Sequence, residues 1–491
     1  MINQQLSFNF NEYYRLYDDV VTDTHFLRRL HDDVDFDEIT KVLLSKYSAT
    51  MGRTAYSPTY MFKLCLLKVM TDLSDVDLIE EVRVNMAYKF FLDINPNDAP
   101  CDATTLCKFR RERIGDENFL GSLLAMTFKF AEQKGVKKRI NGKFVVKGII
   151  DATHTVSEYN YYLPVPALKE FTRKLRSVLY GIDEDLTETL KKDKNIQSTD
   201  LEGEIKYCLE LLDFVKENYS SYLNDGRVRK AYNRLKEAVE DIRTYYSGDP
   251  DAGLGHKTAD TSFFGYKHSI VMDKDSGLIV GALTTSGEIG DALPGKELIK
   301  DILQNKNFKL TELIGDTAYS GQPFLDLAHN NNFEIITTPH PNLGTGIDGR
   351  DGFTFNKDAD MFICPQGHLA IGKRIVTFKR HNSKHAIYRF DRHLCATCPL
   401  KETCLGNAKE KTFSVSILTP EQQKLLQDNQ DPEYKRRRKE RYKIEALNAH
   451  LKGRYAFRKA QCIGISMMTL QAAIAMYLYN MKKIYTTIDK K

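Results

Sequence analysis

The chain has 491 residues, 42 % apolar and 28 % charged, a balance that excludes a collagenous, disulfide-stapled or wholly disordered protein and predicts two or three domains. Nine cysteines, unevenly placed, do not make a secreted framework. The net charge is only +5, yet Lys435 to Lys459 carries eleven Lys or Arg and two acids, +9 against −4 for the remainder. A near-neutral chain with one strongly basic segment predicts a local polyanion partner, most simply nucleic acid.

The N-terminus, MINQQLSFNF, has no basic head followed by an apolar run, so no signal peptide and a cytoplasmic location are expected. Residues 1–140 read as mostly helical. Ser57-Pro58 opens a helix to Leu73, and Ser74 with Asp77 forms a capping box before Leu78 to Phe91. Pro96 to Pro100 is a turn. Thr104 or Thr105 caps a helix that carries Lys108, Arg110, Arg111 and Arg113. A helix-turn-helix DNA reader and a plain helical bundle both fit. KFVVKGIID, Lys143 to Asp151, is a β-branched run that predicts a central strand. Residues 160–250 are charged with helical periodicity and predict a helical insertion of two or three long helices.

Ser262 to Asp273 and Ser276 to Gly287 predict a hairpin that turns near Asp273-Lys274-Asp275. A helix Pro294 to Asn305, a strand ending at Asp316, a helix in PFLDLAHNN and a strand Phe333 to His340 follow. This order is α/β with a mixed sheet. Residues 346–410 are loop-rich. A polar helix Pro420 to Lys439 leads into the basic segment. The most apolar stretch, Gln461 to Asn480, is interrupted by Gln461, Ser466, Thr469, Gln471 and Asn480. It reads as a buried core helix rather than a membrane span, with Lys482 as its end.

Three carboxylates sit on three separate elements. Asp151 and Asp316 each end an apolar strand, where open α/β sheets bind ligands. Arg441, Glu445, Asn448 and Lys452 are spaced by four, three and four residues, on one helix face. Glu445 could be only the salt-bridge partner of Arg441. Cations beside a carboxylate also suit a phosphodiester held against a metal ion. Arg436, Arg437 and Arg438 extend the basic run, and only one acid lies within KRRRKERYK.

Asp151 after a β run, Asp316 in GDTAYSG, and Arg441-x3-Glu445-x6-Lys452 resemble the catalytic signature of DDE transposases of bacterial insertion sequences. That signature begins with a Tyr where this chain has Arg438. GYKHSIVMD resembles the second-strand segment of the family. GRTAYSPTYMFKLCLLKVMTDLSDVDLIEEVRVNMAYKFFLDI, with TTLCKFRRER after it, resembles its InsH-type N-terminal domain. With the late cysteine cluster, the pattern is closest to the group numbered eleven-eighty-two. The resemblance implies a ribonuclease-H-like mixed-sheet core at 143–345 and 411–485. Around it would stand a helical N-terminal DNA-binding domain at 1–140, the helical insertion at 160–250, and a cysteine-rich, zinc-ribbon-like module at 346–410. It also implies that Asp151, Asp316 and Glu445 bind two Mg²⁺ or Mn²⁺ ions for DNA cleavage and strand transfer. Arg441 and Lys452 would contact end DNA; Asn448, Arg436, Arg437, Arg438, Arg110 and Arg111 are further candidates for DNA contact. The partners implied are terminal inverted repeats and target DNA, bound by a homodimer or larger assembly near the nucleoid, with no membrane. A silent DNA-binding protein of the same fold and a metal-dependent nuclease are the rival functions.

Cys364, Cys395, Cys398 and Cys404 fall in one loop-rich window. Thiolates at this spacing suit a structural tetrahedral Zn²⁺, with His368 able to replace one sulfur and His393 a weaker candidate. Gly344 to Gly349 matches a dinucleotide fingerprint, but no helix is expected after it and it reads as a loop. His154, His256 and His268 lie near the expected strands, and only His154 is close enough to Asp151 in sequence to suggest contact with substrate.

Overall fold

A computed structural model describes residues 10–48, 55–114, 119–190, 200–243, 245–257, 260–341, 343, 350–378 and 383–490. The Gly344 to Gly349 motif lies outside them. The fold is mixed α/β. The central sheet contains β1 (Arg139–Ile140) and β2 (Lys143–Val156). A small pair, β3 (Tyr161–Tyr162) and β4 (Tyr246–Ser247), closes the base of the helical insertion. The sheet continues with β5 (Gly253–His256), β6 (Ser262–Asp273), β7 (Ile279–Ser286), β8 (Phe308–Ile314) and β9 (Glu334–Ile336). Its order is β7-β6-β2-β8-β9. Antiparallel pairs join β7, β6 and β2, and parallel pairs join β2, β8 and β9; β5 continues the β7 edge along the start of β6.

Local signals in the sequence account for many boundaries. Ser57 caps the helix Pro58–Thr71 by accepting from the Tyr60 N–H, which satisfies one of the free donors of the first turn. Ser74 does the same for Asp75–Val84 through the Asp77 N–H. The expected helix to Phe91 is interrupted there: Asn85 is extended and caps a new helix, Met86–Phe91, by accepting from Tyr88. The helix Ala103–Arg113 starts from Asp102 rather than from Thr104 or Thr105. The expected helix Pro420 to Lys439 is two, Pro420–Asp428 and Pro432–Lys439, because Asp431 caps and Pro432 opens the second. β2 runs five residues past Asp151, since β6 pairs with it as far as Val156. β9 stops at Ile336, where the Thr337 N–H turns to the Tyr434 hydroxyl.

The last helix, Ile465–Ile488, packs with Pro58–Thr71, Phe119–Gln133 and β7 in one continuous core that reaches from Leu27 to Tyr485. The polar residues that interrupt it have assigned roles. Asn480, fully buried, accepts from the Ile279 N–H at 2.8 Å and donates to the Ile279 carbonyl and to Thr127 at 3.0 Å each. It continues the β7 edge as a backbone would. Gln471 accepts from the Gln461 N–H at 2.9 Å and donates to the Lys459 carbonyl at 3.1 Å, so it pins the segment before the helix. Among the described residues no helix is long and apolar enough to cross a membrane. The insertion, Pro164–Tyr180, Leu201–Asn218 and Gly226–Glu240, has its own core around Leu168, Leu175, Cys208, Val215 and Leu235. The cysteine-bearing segment has a third, around Phe353, Phe362, Tyr388 and Phe413, under β10 (Thr354–Asn356), β11 (Met361–Ile363), β12 (Gly372–Phe378), β13 (Ser383–Arg389) and β14 (Thr412–Ile417).

Candidate active site and nucleic-acid interface

β8 pairs with β2 only from Phe144 to Ile149. From Ile150 onward one edge of β2 is open, and the helix Tyr442–Arg454 lies along it. Asp151 is the first polar residue of that stretch. Its two oxygens accept from Arg441 Nη1 and Asn448 Nδ2, each at 3.0 Å. The other arm of Arg441 donates to Glu445 Oε1 at 2.6 Å, so one guanidinium bridges two carboxylates. Further along the helix, Lys452 Nζ is 3.3 Å from His154 Nδ1. The four-three-four spacing therefore presents all four residues to one strand edge. Asp316 follows β8. It caps the short turn Thr317–Tyr319 by accepting from the Ala318 N–H at 2.9 Å, and its carbonyl accepts from the Thr337 hydroxyl.

Electrostatics tie the three acids together. Burial raises the Asp151 carboxyl to about 6; Arg441 opposes this, and the negative charges of Asp316 and Glu445 add to it. Asp316 is also raised, first by burial, with Asp291 adding and the Ala318 N–H and Arg441 opposing. Charged groups that disfavour one another in a cleft characterise functional sites more than structural ones. Sequence reasoning missed two residues here. Asp291 follows a strand but sits in no motif; it holds Lys267 at 2.9 Å. Tyr319 was visible only as part of GDTAYSG. It is 1 % exposed, and among the described residues its hydroxyl has no hydrogen-bond partner, as is true of Asn448 Oδ1.

The raised Asp151 carboxyl has a measurable consequence. The native state holds this proton to higher pH than the unfolded chain. Its contribution to stability is therefore complete below the ordinary carboxyl range and is lost as pH rises through about 6. Asp151→Asn carries no such titration. In chelator, the stability of the variant relative to wild type is expected to rise by about 1–2 kcal/mol between pH 4 and pH 7, read from melting curves at each pH. A pH-independent difference would show that Asp151 is not raised.

The basic residues divide into two groups. Arg110 is buried against Asp75 in two bonds of 2.8 and 2.7 Å. Arg437 is held by Glu312 and Glu334. These two guanidinium groups brace the scaffold in the free chain. The single acid within KRRRKERYK understated the available partners, because Glu312 and Glu334 come from β8 and β9. Arg436 pairs with Glu433 one turn back, Arg438 donates to Asn429, and Arg111 is exposed beside Glu112. His268, fully buried, bonds Thr155 and Thr284 and is structural; His256 is exposed on β5.

Of the four window cysteines, Cys364, Cys395 and Cys404 pack against the third core. Cys364 begins a turn in which its carbonyl accepts from the Gly367 N–H at 2.8 Å, and Gly367 adopts φ +83°, a conformation that favours glycine. The Leu400 N–H points at Cys398 Sγ at 3.4 Å. Burial raises the Cys395 thiol, and Cys364, Cys404 and Cys398 add to the effect, so the four side chains are neighbours. Among the described residues no three His, Cys, Asp or Glu side chains stand together at metal-holding distance. At the acidic pocket the Arg441 guanidinium bridges the space between Asp151 and Glu445.

Two family matches bear on this geometry. The transposase domain family DUF772 matches residues 15–112, and the transposase DDE domain family matches residues 363–485. Together, a transposase domain match near the N-terminus and a DDE domain match near the C-terminus are consistent with a DDE transposase of insertion-sequence type. The second match includes the four cysteines and the face that carries Arg441, Glu445, Asn448 and Lys452. No curated protein matches. Among solved structures, the cryo-EM structure of the piggyBac transposase synaptic complex with hairpin DNA is 13 % identical over 87 % of this chain and 74 % of that one, with a TM-score of 0.25. Likeness at that level carries no argument about this chain.

Proposed function

We propose that this chain cuts DNA at the ends of a mobile element and joins them to target DNA, with Asp151, Asp316 and Glu445 as the metal-binding acids. The observation that carries this reading is the bridged pair at the open edge of β2. Asp151 and Glu445 already share one cation, Arg441, and the charges of Glu445 and Asp316 both act on the Asp151 carboxyl. An all-oxygen donor set of this kind suits hard divalent cations, which Asp151, Asp316 and Glu445 would hold. When bound, two Mg²⁺ or Mn²⁺ ions would activate the attacking oxygen and neutralise the leaving one. The chain itself supplies position and charge. Arg441, once free of the two acids, and Lys452 grip backbone phosphates, while Asn448 keeps Asp151 oriented through its amide. Water attacks at the element end first, and the 3′-hydroxyl so freed then attacks target DNA, with no covalent enzyme intermediate. The β7-β6-β2-β8-β9 order, three antiparallel strands followed by two parallel ones, supports a ribonuclease-H-like core at 143–345 and 411–485. In this reading residues 1–140 recognise terminal inverted repeats, and cutting two ends together requires a dimer or larger assembly.

The same proposal gives the module at 346–410 a structural Zn²⁺ held by Cys364, Cys395, Cys398 and Cys404. Four protein sulfurs leave no open position for catalysis. The neighbouring thiols and the N–H aimed at Cys398 Sγ support it. Protein purified without chelator is expected to contain one zinc per chain, and stripping it should lower the melting temperature of the module. Absence of zinc by elemental analysis would remove this assignment.

The deciding experiment incubates purified protein with DNA that carries both element ends, with and without Mg²⁺, and follows cleavage and joining on a gel. Joined products establish the transposase reading. Cleavage without joining favours a nuclease, and binding without cleavage favours a silent relative.

A further inference from the structure

Beyond Asp151 the open edge of β2 changes sign. His154 lies three residues on, about 10 Å at ~3.3 Å per residue. Its Nδ1 is 3.3 Å from Lys452 Nζ, and its ring packs on Phe263 at 4.5 Å between centroids. The segment after the signature helix returns to this end of the strand. The Val156 N–H donates to the Arg458 carbonyl at 3.1 Å, and the Ala460 N–H donates to the Val156 carbonyl at 2.8 Å. Arg458 is thus anchored by its backbone while its side chain is exposed. Lys257, exposed at the end of β5, is held by a bond from its N–H to the Thr261 carbonyl at 2.8 Å. Among the described residues none of Lys257, Lys452 and Arg458 has an acidic ion-pair partner, whereas their neighbour Lys267 has Asp291.

We propose that His154, Lys257, Lys452 and Arg458 form a phosphate-holding subsite for the DNA strand whose reacting phosphodiester lies at Asp151, with His154 as the positioning residue for Lys452. This inference rests on the proposed function above and deepens it. The cations crowd one another in the free protein. Burial lowers Lys452 to about 8; Lys257 and Arg458 add to this, and Asp151 opposes it. Burial and then Lys452, Lys257 and Lys267 bring His154 down to about 4. A neutral imidazole accepts from the ammonium and aims it. Like charges that no acid pairs directly are relieved by one anion, and a backbone phosphate is the anion this edge would meet. The separation from Asp151 corresponds to one to three nucleotides at about 3.4 Å of axial rise each.

The test measures binding of the full-length protein to a labelled DNA duplex, in chelator, across a salt series. Each phosphate contact contributes roughly 0.9 to the slope of log affinity against log salt. Lys257→Ala with Arg458→Ala is expected to lower that slope by about 1–2 and affinity about tenfold at moderate salt. Both side chains are exposed, so the fold should survive; unchanged melting confirms it. His154→Leu should weaken binding about three- to tenfold, and His154→Gln, whose amide oxygen also accepts from Lys452, should restore most of it. Lys174→Ala with Lys236→Ala, in the insertion, should leave the slope unchanged. An unaltered slope in the Lys257 and Arg458 variant, equal losses in the insertion control, or no duplex binding at all would overturn the proposal. Cleavage with an unaltered slope overturns the subsite and leaves the transposase reading standing. A reduced slope without any cleavage does the reverse.

Discussion

If the proposed assignment holds, Asp151→Asn, Asp316→Asn and Glu445→Gln are each expected to abolish Mg²⁺-dependent end cleavage, by roughly three orders of magnitude or more, while duplex binding persists. The size follows from the role. A metal ion that stabilises charge at the reacting phosphate is worth several kcal/mol, at about 1.4 kcal/mol per decade of rate, and removing one carboxylate oxygen charge forfeits most of it. Binding should survive because the proposed phosphate contacts come from cations. Asp151→Asn keeps the shape that receives Asn448 and Arg441, and Glu445 is half-exposed at 54 %, so neither substitution disturbs a core. The measurement is a cleavage time course beside a binding isotherm for each variant. Wild-type cleavage in any one of the three removes that residue from the assignment. Loss of binding together with cleavage would instead mark it as a scaffold group.

Asp273→Ala should unfold or severely destabilise the chain, by about 3–5 kcal/mol. Asp273 is fully buried at the turn between β6 and β7. It accepts from the Lys147 N–H at 3.1 Å, the Ser276 N–H at 3.0 Å and the Ser276 hydroxyl at 2.6 Å, and it pairs with Lys137 Nζ at 2.7 Å. One carboxylate thus holds the hairpin turn, the start of β2 and the segment after Phe119–Gln133. Alanine leaves a half-buried ammonium and two backbone donors without partners, and each such group costs its own desolvation. Asp273→Asn keeps one acceptor oxygen and should lose roughly half as much. Chemical unfolding of the three proteins checks the order. An alanine variant as stable as wild type would show that this carboxylate does not hold the turn.

The pieces of this protein that its sequence determined are those governed by short-range energies. Ser57, Ser74 and Pro432 set helix starts because a cap acts on the N–H groups two or three residues away. The hairpin through Asp273 was legible because strand alternation and turn residues are local. The four-three-four spacing of Arg441, Glu445, Asn448 and Lys452 placed them on one face, as the helix repeat requires. Asn85 also acted locally, but a helical apolar pattern on both sides masked it. What only the tertiary structure decided is who meets whom. Arg437 is bound by acids more than a hundred residues away, and Arg110 by Asp75 on another helix. Both are thus paired within the free chain. Arg458 and Lys257 join Lys452 only because the chain returns to the end of β2. The open edge that exposes Asp151 exists because β8 stops at Ile314, paired to Ile149. Charge pairing and strand termination depend on distances between remote segments, and composition and periodicity along a chain carry no such distances.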